Sequence, residues 1–190
     1  MLLLLTLAGR AGAQEPIIVP AVVRATTIQI LVTNDSLLSP RLQSEAEQTA
    51  GQLFAALGIR IEWVDHLNPD LPLVVAFPPS GGAERMQLGP YVMGHTFRTR
   101  APEPGGRALI FVDRVEQRAQ SSRVDVGRLL GAVIAHEIAH MLLPDAHTAT
   151  GIMRGIWNDH DLRLIEMGFL RFSATQRDQM VWYALLRRFP

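Results

Sequence analysis

The run from Val126 to Leu143, VGRLLGAVIAHEIAHMLL, reads as one helix with almost no polar face, interrupted only by Arg128, His136, Glu137 and His140. A helix that is apolar nearly all round belongs in the interior, so the rest of the chain must be built to cover it. Two imidazoles and a carboxylate then go inside with it. Unpaired, such groups are costly to bury, and that cost needs an explanation. His136 and His140 stand four residues apart, one turn apart on one helix face, and can present two ring nitrogens to a single cation. Glu137 is offset and reaches a water beside such an ion rather than the ion itself. The HExxH spacing suits one catalytic zinc ion, since a two-histidine grip requires a third ligand and leaves a position for water. The competing reading is a pair of core histidines satisfied by ordinary hydrogen bonds.

The third ligand decides the chemistry. Pro144 cannot continue the helix and, with Asp145, favours a tight turn, so the chain should reverse just after His140 and return His147 toward the metal. With His136, His140 and His147 as ligands, Glu137 becomes the general base that takes a proton from water during attack on a carbonyl. Glu166 is the rival third ligand, from a later helix, and Asp145, Asp159 and Asp161 trail behind it. A closed site completed by Asp145 or Asp159 would instead make the metal structural and the chain a non-enzymatic module.

Composition sets the outer limits. The chain of 190 residues, 48% hydrophobic, is of a size and composition for one domain with a sizeable core. Its 18 basic residues, all arginine, balance 18 acidic ones without a basic block, so neither nucleic acid nor an anionic membrane surface is an expected partner. Leu2 to Ala8 is an apolar run followed by Ala11-Gly12-Ala13, a small-x-small pattern that reads as a signal peptide over residues 1–13, although no positive residue precedes the run. That leaves 14–190 as a single catalytic domain, secreted or periplasmic, with no stable membrane insertion after cleavage. The absence of cysteine fits export without disulfides.

The remaining chain predicts an α+β fold. Thr26 to Val32 is rich in β-branched residues and reads as a first strand. Ser39 offers an N-cap with Pro40 at the first helical position, and the apolar period runs to a stop at Gly58. Ile59 to Val64 and Leu71 to Phe77 read as further strands. Ser80 to Pro90 reads as loop, Tyr91 to Phe97 as a short fourth strand containing Gly94, and Arg107 to Val112 as a fifth. Asp113 to Ser122 is polar and reads as a short helical turn before the HExxH helix. Asp159 to Met167 and Thr175 to Arg187 are helical by period, the second with Ser173 as cap. His95 could face the cleft, though a surface imidazole is the plainer reading; His66 and His160 carry no pattern. Met141, Met167 and Met180 read as core, and Trp157 and Phe169 as cover for the core below the site.

Taken together, HExxH, a turn, a third histidine and then Gly151-Ile152-Met153 resemble the metzincin metalloproteases, whose pattern is HExxHxxGxxH followed by a Met-turn. The resemblance implies a divergent metzincin-like fold, a five-stranded mixed twisted sheet, a backing helix, the active-site helix and C-terminal helices, and the export signal reads as that of a bacterial protein. It implies a zinc endopeptidase in which Met153 forms the floor of the metal site and Tyr91 to Phe97 is the edge strand that holds an extended protein or peptide substrate. The alternative zinc peptidase, of gluzincin type, would use Glu166. The chain departs from the pattern in having Leu143 and Pro144 at the turn, with His147 one residue late and Trp157 as the aromatic nearest the methionine.

Overall fold

The computed structural model describes residues 26–66, 73–98, 106–143 and 147–186. The expected leader, 1–13, and the Pro144-Asp145 turn lie outside the described residues, and so does the first part of the expected third strand, Leu71 and Pro72. The fold is α+β around one mixed, five-stranded sheet of order β2-β1-β3-β5-β4. β1 (Thr26–Asn34) leads into α1 (Pro40–Ala55), which returns the chain so that β2 (Ile59–Val64) pairs in parallel with β1, Thr26 opposite Ile59. Parallel neighbours require a crossover of this kind. The start of α1 follows from its first residues: Ser39 Oγ accepts from the Leu42 N–H at 3.3 Å and Pro40 gives up no needed donor. Its end is set by Gly58, which takes φ of 78° without a Cβ penalty.

β3 (Leu73–Phe77) pairs in parallel with β1 on one side and with β5 (Gly106–Ile110) on the other. β4 (Gly94–Arg98) is the single antiparallel member and lies at the edge, Gly94 opposite Ile110. α4 (Val126–Leu142) is the predicted apolar helix, packed between α1 and the β3-β5-β4 side of the sheet. Of its residues only Val126, Arg128 and His140 are not buried. Gly131 lets α1 and α4 approach closely: a Cβ there would lie 2.4 Å from Thr49 Cβ and 2.6 Å from the Ala46 carbonyl. α5 (Asp159–Glu166) and α6 (Ala174–Leu186) close the chain. Ser173 caps α6 reciprocally, its Oγ accepting from the Gln176 N–H at 3.2 Å while Gln176 Oε1 accepts from the Ser173 N–H at 2.8 Å.

Two segments differ from the expectation for one shared reason. The polar stretch expected as a short helical turn is longer, an 11-residue helix, α3 (Val112–Ser122), and the expected loop after β3 holds a one-turn helix, α2 (Gly82–Arg85). Arg114 occupies a buried position of α3 where the apolar period calls for a hydrophobic residue. Its guanidinium donates to Glu84 Oε1 from Nε at 3.1 Å and Nη2 at 2.8 Å, and to the carbonyls of Leu88, Gly89 and Val92. The paired part of β4 begins at Gly94 instead of Tyr91, with the Met93 carbonyl accepting from the Phe111 N–H at 2.9 Å just before it. Phe169, expected to cover the core, and Met167, read as core, are 65% and 54% exposed, whereas Trp157, Met141 and Met180 are buried.

Candidate metal centre

α4 carries His136, Glu137 and His140 into a cavity of about 690 Å³ bounded by β4, α3, α4 and the segment 154–157. Asp125 caps the start of this helix, accepting from the Arg128 N–H at 2.9 Å, and fixes its rotation. His136 is buried and its Nδ1 lies 2.7 Å from the Ile152 carbonyl. A carbonyl can only accept, so Nδ1 carries the proton and the Nε2 lone pair is turned into the cavity. Trp157 Nε1 donates to the same carbonyl at 3.2 Å, and its ring stands edge-on to His136 with centroids 5.8 Å apart. His140 Nε2 lies 2.9 Å from His136 Nε2.

His147 joins them from beyond the helix. Its ring centroid is 4.9 Å from that of His140 and 5.4 Å from that of His136. Two features hold it there. The Thr148 N–H donates to the Met153 carbonyl at 2.8 Å, tying the residue after His147 to the expected Met-turn. Gly155 lies against the imidazole, where a Cβ would sit 3.1 Å from Nδ1. One ligand nitrogen from each of the three histidines falls within 4.8 Å of the others. A set of three imidazole nitrogens gathered in this way fits a divalent metal ion. The protonation states agree with this. Burial, with repulsion from His147, holds His136 down to about 4 against the opposing pull of the Ile152 carbonyl. Burial, then the neighbouring His136 and His147, push His140 down to about 3. Both rings are neutral at pH 7, the form a metal ligand must have.

Glu137 faces β4. Its side chain is buried, and burial pushes its carboxyl up to about 7 while a hydrogen bond from Thr96 pulls it the other way. Thr96 Oγ1 donates to Glu137 Oε2 at 2.7 Å. Gly94, two residues earlier on the same face of the strand, leaves the room: a Cβ there would lie 2.6 Å from both Cγ and Oε1 of Glu137. These two residues are 41 and 43 positions from Glu137 in sequence, and no local pattern joins them to it. The one available signal was the glycine inside a strand, which marks a close approach.

The rival ligands among the described residues are engaged elsewhere. Glu166 Oε2 accepts from the Asp125 N–H at 2.7 Å, and the Glu166 carbonyl accepts from Arg128 Nη1. Glu166 therefore clamps the N-terminus of α4, about 16 Å of helix rise from His136. Asp161 is spent as the capping partner of the Asn158 N–H at 3.0 Å and in an ion pair with Arg154 at 3.2 Å. Asp159 is 84% exposed and lies 3.9 Å from Arg118. Asp145 is outside the described residues. Met153 is fully buried in the core. His95, for which a surface position was the plainer expectation, lines the cavity with its ring edge-on to Phe97 at 4.7 Å. No protein-family model matches the chain, and no curated protein matches it significantly in sequence.

Proposed function

We propose that this chain is a secreted zinc endopeptidase of metzincin-like fold, with His136, His140 and His147 as metal ligands, Glu137 as general base and Met153 as the floor of the site. The observation that carries the reading is the convergence of three histidine nitrogens within 4.8 Å beside a buried carboxylate. A satisfied pair of core histidines would not need the third ring. A structural site would have no use for a carboxylate held open by Thr96 and Gly94. The secreted location rests on the apolar leader and its small-x-small end.

When bound, zinc supplies Lewis acidity, polarising a scissile carbonyl and making water easier to deprotonate. The protein's own groups do the rest. Thr96 holds Oε2 of Glu137, leaving the other oxygen to take the proton of the attacking water and deliver it to the departing amine. In the metal-free protein burial raises this carboxyl, and a bound cation beside it would favour the ionised form that accepts the proton. β4 is the last strand in the sheet order, so its outer edge has no strand partner among the described residues. An extended peptide adding to that edge would be held by main-chain hydrogen bonds beside the histidines. Tyr91 and Ile156, 68% and 66% exposed, lie at the cavity and offer it apolar contact.

The test is digestion of a mixed peptide library by the wild-type protein and by Glu137→Gln. Wild type should cut, lose activity to a chelator and regain it with zinc. Glu137→Gln should keep its zinc while losing roughly 100- to 10,000-fold in rate. A zinc-loaded wild type that cuts nothing in the library would favour the structural-metal module instead.

A further inference from the structure

The charge on the cavity wall is one-sided. Arg98, Arg114, Arg118 and Arg154 all line it, and Glu137 is the one carboxylate among the lining residues described. Carboxylates outside the lining pair with three of these arginines, Glu84 with Arg114, Asp161 with Arg154 and Asp159 with Arg118, so what distinguishes them is how firmly each is held. The arginines are not equivalent. Arg114 spends its donors on Glu84 and three carbonyls, and Arg154 pairs with the buried Asp161. Arg118, one turn along α3 from Arg114, is held differently. Its Nη2 has the Trp157 carbonyl at 3.5 Å and the Asp159 carboxylate at 3.9 Å, at the limit of each kind of contact. A guanidinium offers five N–H donors in a planar fork that matches a carboxylate, and among the described residues most of those of Arg118 have no acceptor. Asp159 is 84% exposed, so water screens its hold.

From this we infer that the cavity selects substrates bearing a carboxylate on the α3 side of the scissile bond, and that Arg118 is the specificity residue that binds it. The inference rests on the peptidase reading above and adds the class of peptide. The side chain of Arg118 is 33% exposed and stands beside the buried Trp157, a setting in which a charge-assisted pair is stronger than on open surface. Its helix is braced by the Arg114 bonds to the segment 84–92, so the fork is presented from a rigid element. Val133 and Met93 also line this cavity and supply apolar contact for the rest of a side chain. An Asp or Glu side chain and a free C-terminal carboxylate offer the same chemistry, and the experiment can separate them.

The experiment uses the mature zinc-loaded protein and peptides of one sequence in which a Glu near the cut is kept or replaced by Gln or Lys, each with a free or amidated C-terminus. Wild type should favour a carboxylate: in the Glu series if a side chain is read, or in the free-acid series if the terminus is read. Arg118→Ala should lower kcat/KM roughly 10- to 100-fold on the favoured peptide, mainly through KM, and little on its amide counterpart. Arg118→Lys should recover part of the loss, and Arg118→Glu should turn the preference toward Lys. Wild type that cuts all the peptides equally, or Arg118→Ala that loses equally on all of them, would overturn the selectivity. In the second case Arg118 would be a brace for Trp157. Wild type that carries zinc and cuts none of them overturns the peptidase reading itself, which separates the two failures.

Discussion

Gly94→Ala perturbs the candidate base without touching a candidate ligand. The added Cβ would lie 2.6 Å from Cγ and Oε1 of Glu137 and 2.8 Å from Cδ. Ordinary carbon contacts are about 3.5–4.0 Å, so the carboxylate must retreat by about 1 Å. It cannot do so freely, because Glu137 is buried and Thr96 holds Oε2 at 2.7 Å from the same strand. A displacement of about 1 Å in a reacting group is expected to cost on the order of 100-fold in rate. The nearest atoms to the new Cβ all belong to Glu137, so His136 and His140 should keep their positions. The assay is kcat on a peptide that wild type cleaves, with zinc stoichiometry measured on the same samples. Gly94→Ala should hold its full zinc complement and lose about two orders of magnitude in kcat, and the loss should largely vanish in a Glu137→Gln background. Full activity in Gly94→Ala would refute the placement of Glu137 against β4. Loss of zinc in step with activity would show that the change spreads beyond Glu137.

Other outcomes follow from the same contacts. Gly131→Ala places a Cβ 2.6 Å from the Ala46 carbonyl, a backbone atom that cannot rotate away, and should destabilise the fold by about 3 kcal/mol. A thermal melt should show this as a drop of roughly 10 °C in Tm, and an unchanged Tm would mean that α1 and α4 pack less closely than described. The metal-free protein should also melt at lower temperature as it is acidified below pH 6.5. The depressed pKa values of His136 and His140, about 4 and about 3, contribute stability that is present above 6.5 and lost as pH falls. Glu137, raised from 4.5 to about 7, acts in the opposite sense, its contribution being complete below 4.5 and lost as pH rises through 7. Between pH 4.5 and 6.5 Glu137 offsets one histidine and the other sets the sign. A chelator-treated protein whose Tm rises on going from pH 6.5 to 4.5 would contradict this balance.

Much of this architecture is written in local sequence, and the exceptions share a cause. α1 is legible because Ser39, Pro40 and Gly58 act on their own neighbours, and β2 runs over the expected Ile59–Val64. His136 and His140 are legible because one helical turn joins them. His147 depends on a reversal of the chain, and the contacts that hold it come from Met153 and Gly155, residues that follow closely. α3 was obscured because Arg114 takes an interior position and finds its counter-charge 30 residues away, in Glu84. That one guanidinium also ties down the 88–92 segment ahead of β4. Gly94, Thr96 and Arg118 gain their roles only when β4 and α3 are folded against α4, a pairing that no window of the sequence contains.

The most direct measurement is the zinc content and zinc affinity of the wild-type protein beside His147→Ala and Glu166→Ala. Wild type should bind one zinc, His147→Ala should lose affinity by 100-fold or more, on the order expected for removing a ligand, and Glu166→Ala should bind as wild type does while melting earlier. Zinc retained at full affinity by His147→Ala but lost by Glu166→Ala would contradict the three-histidine site and put the third ligand on α5.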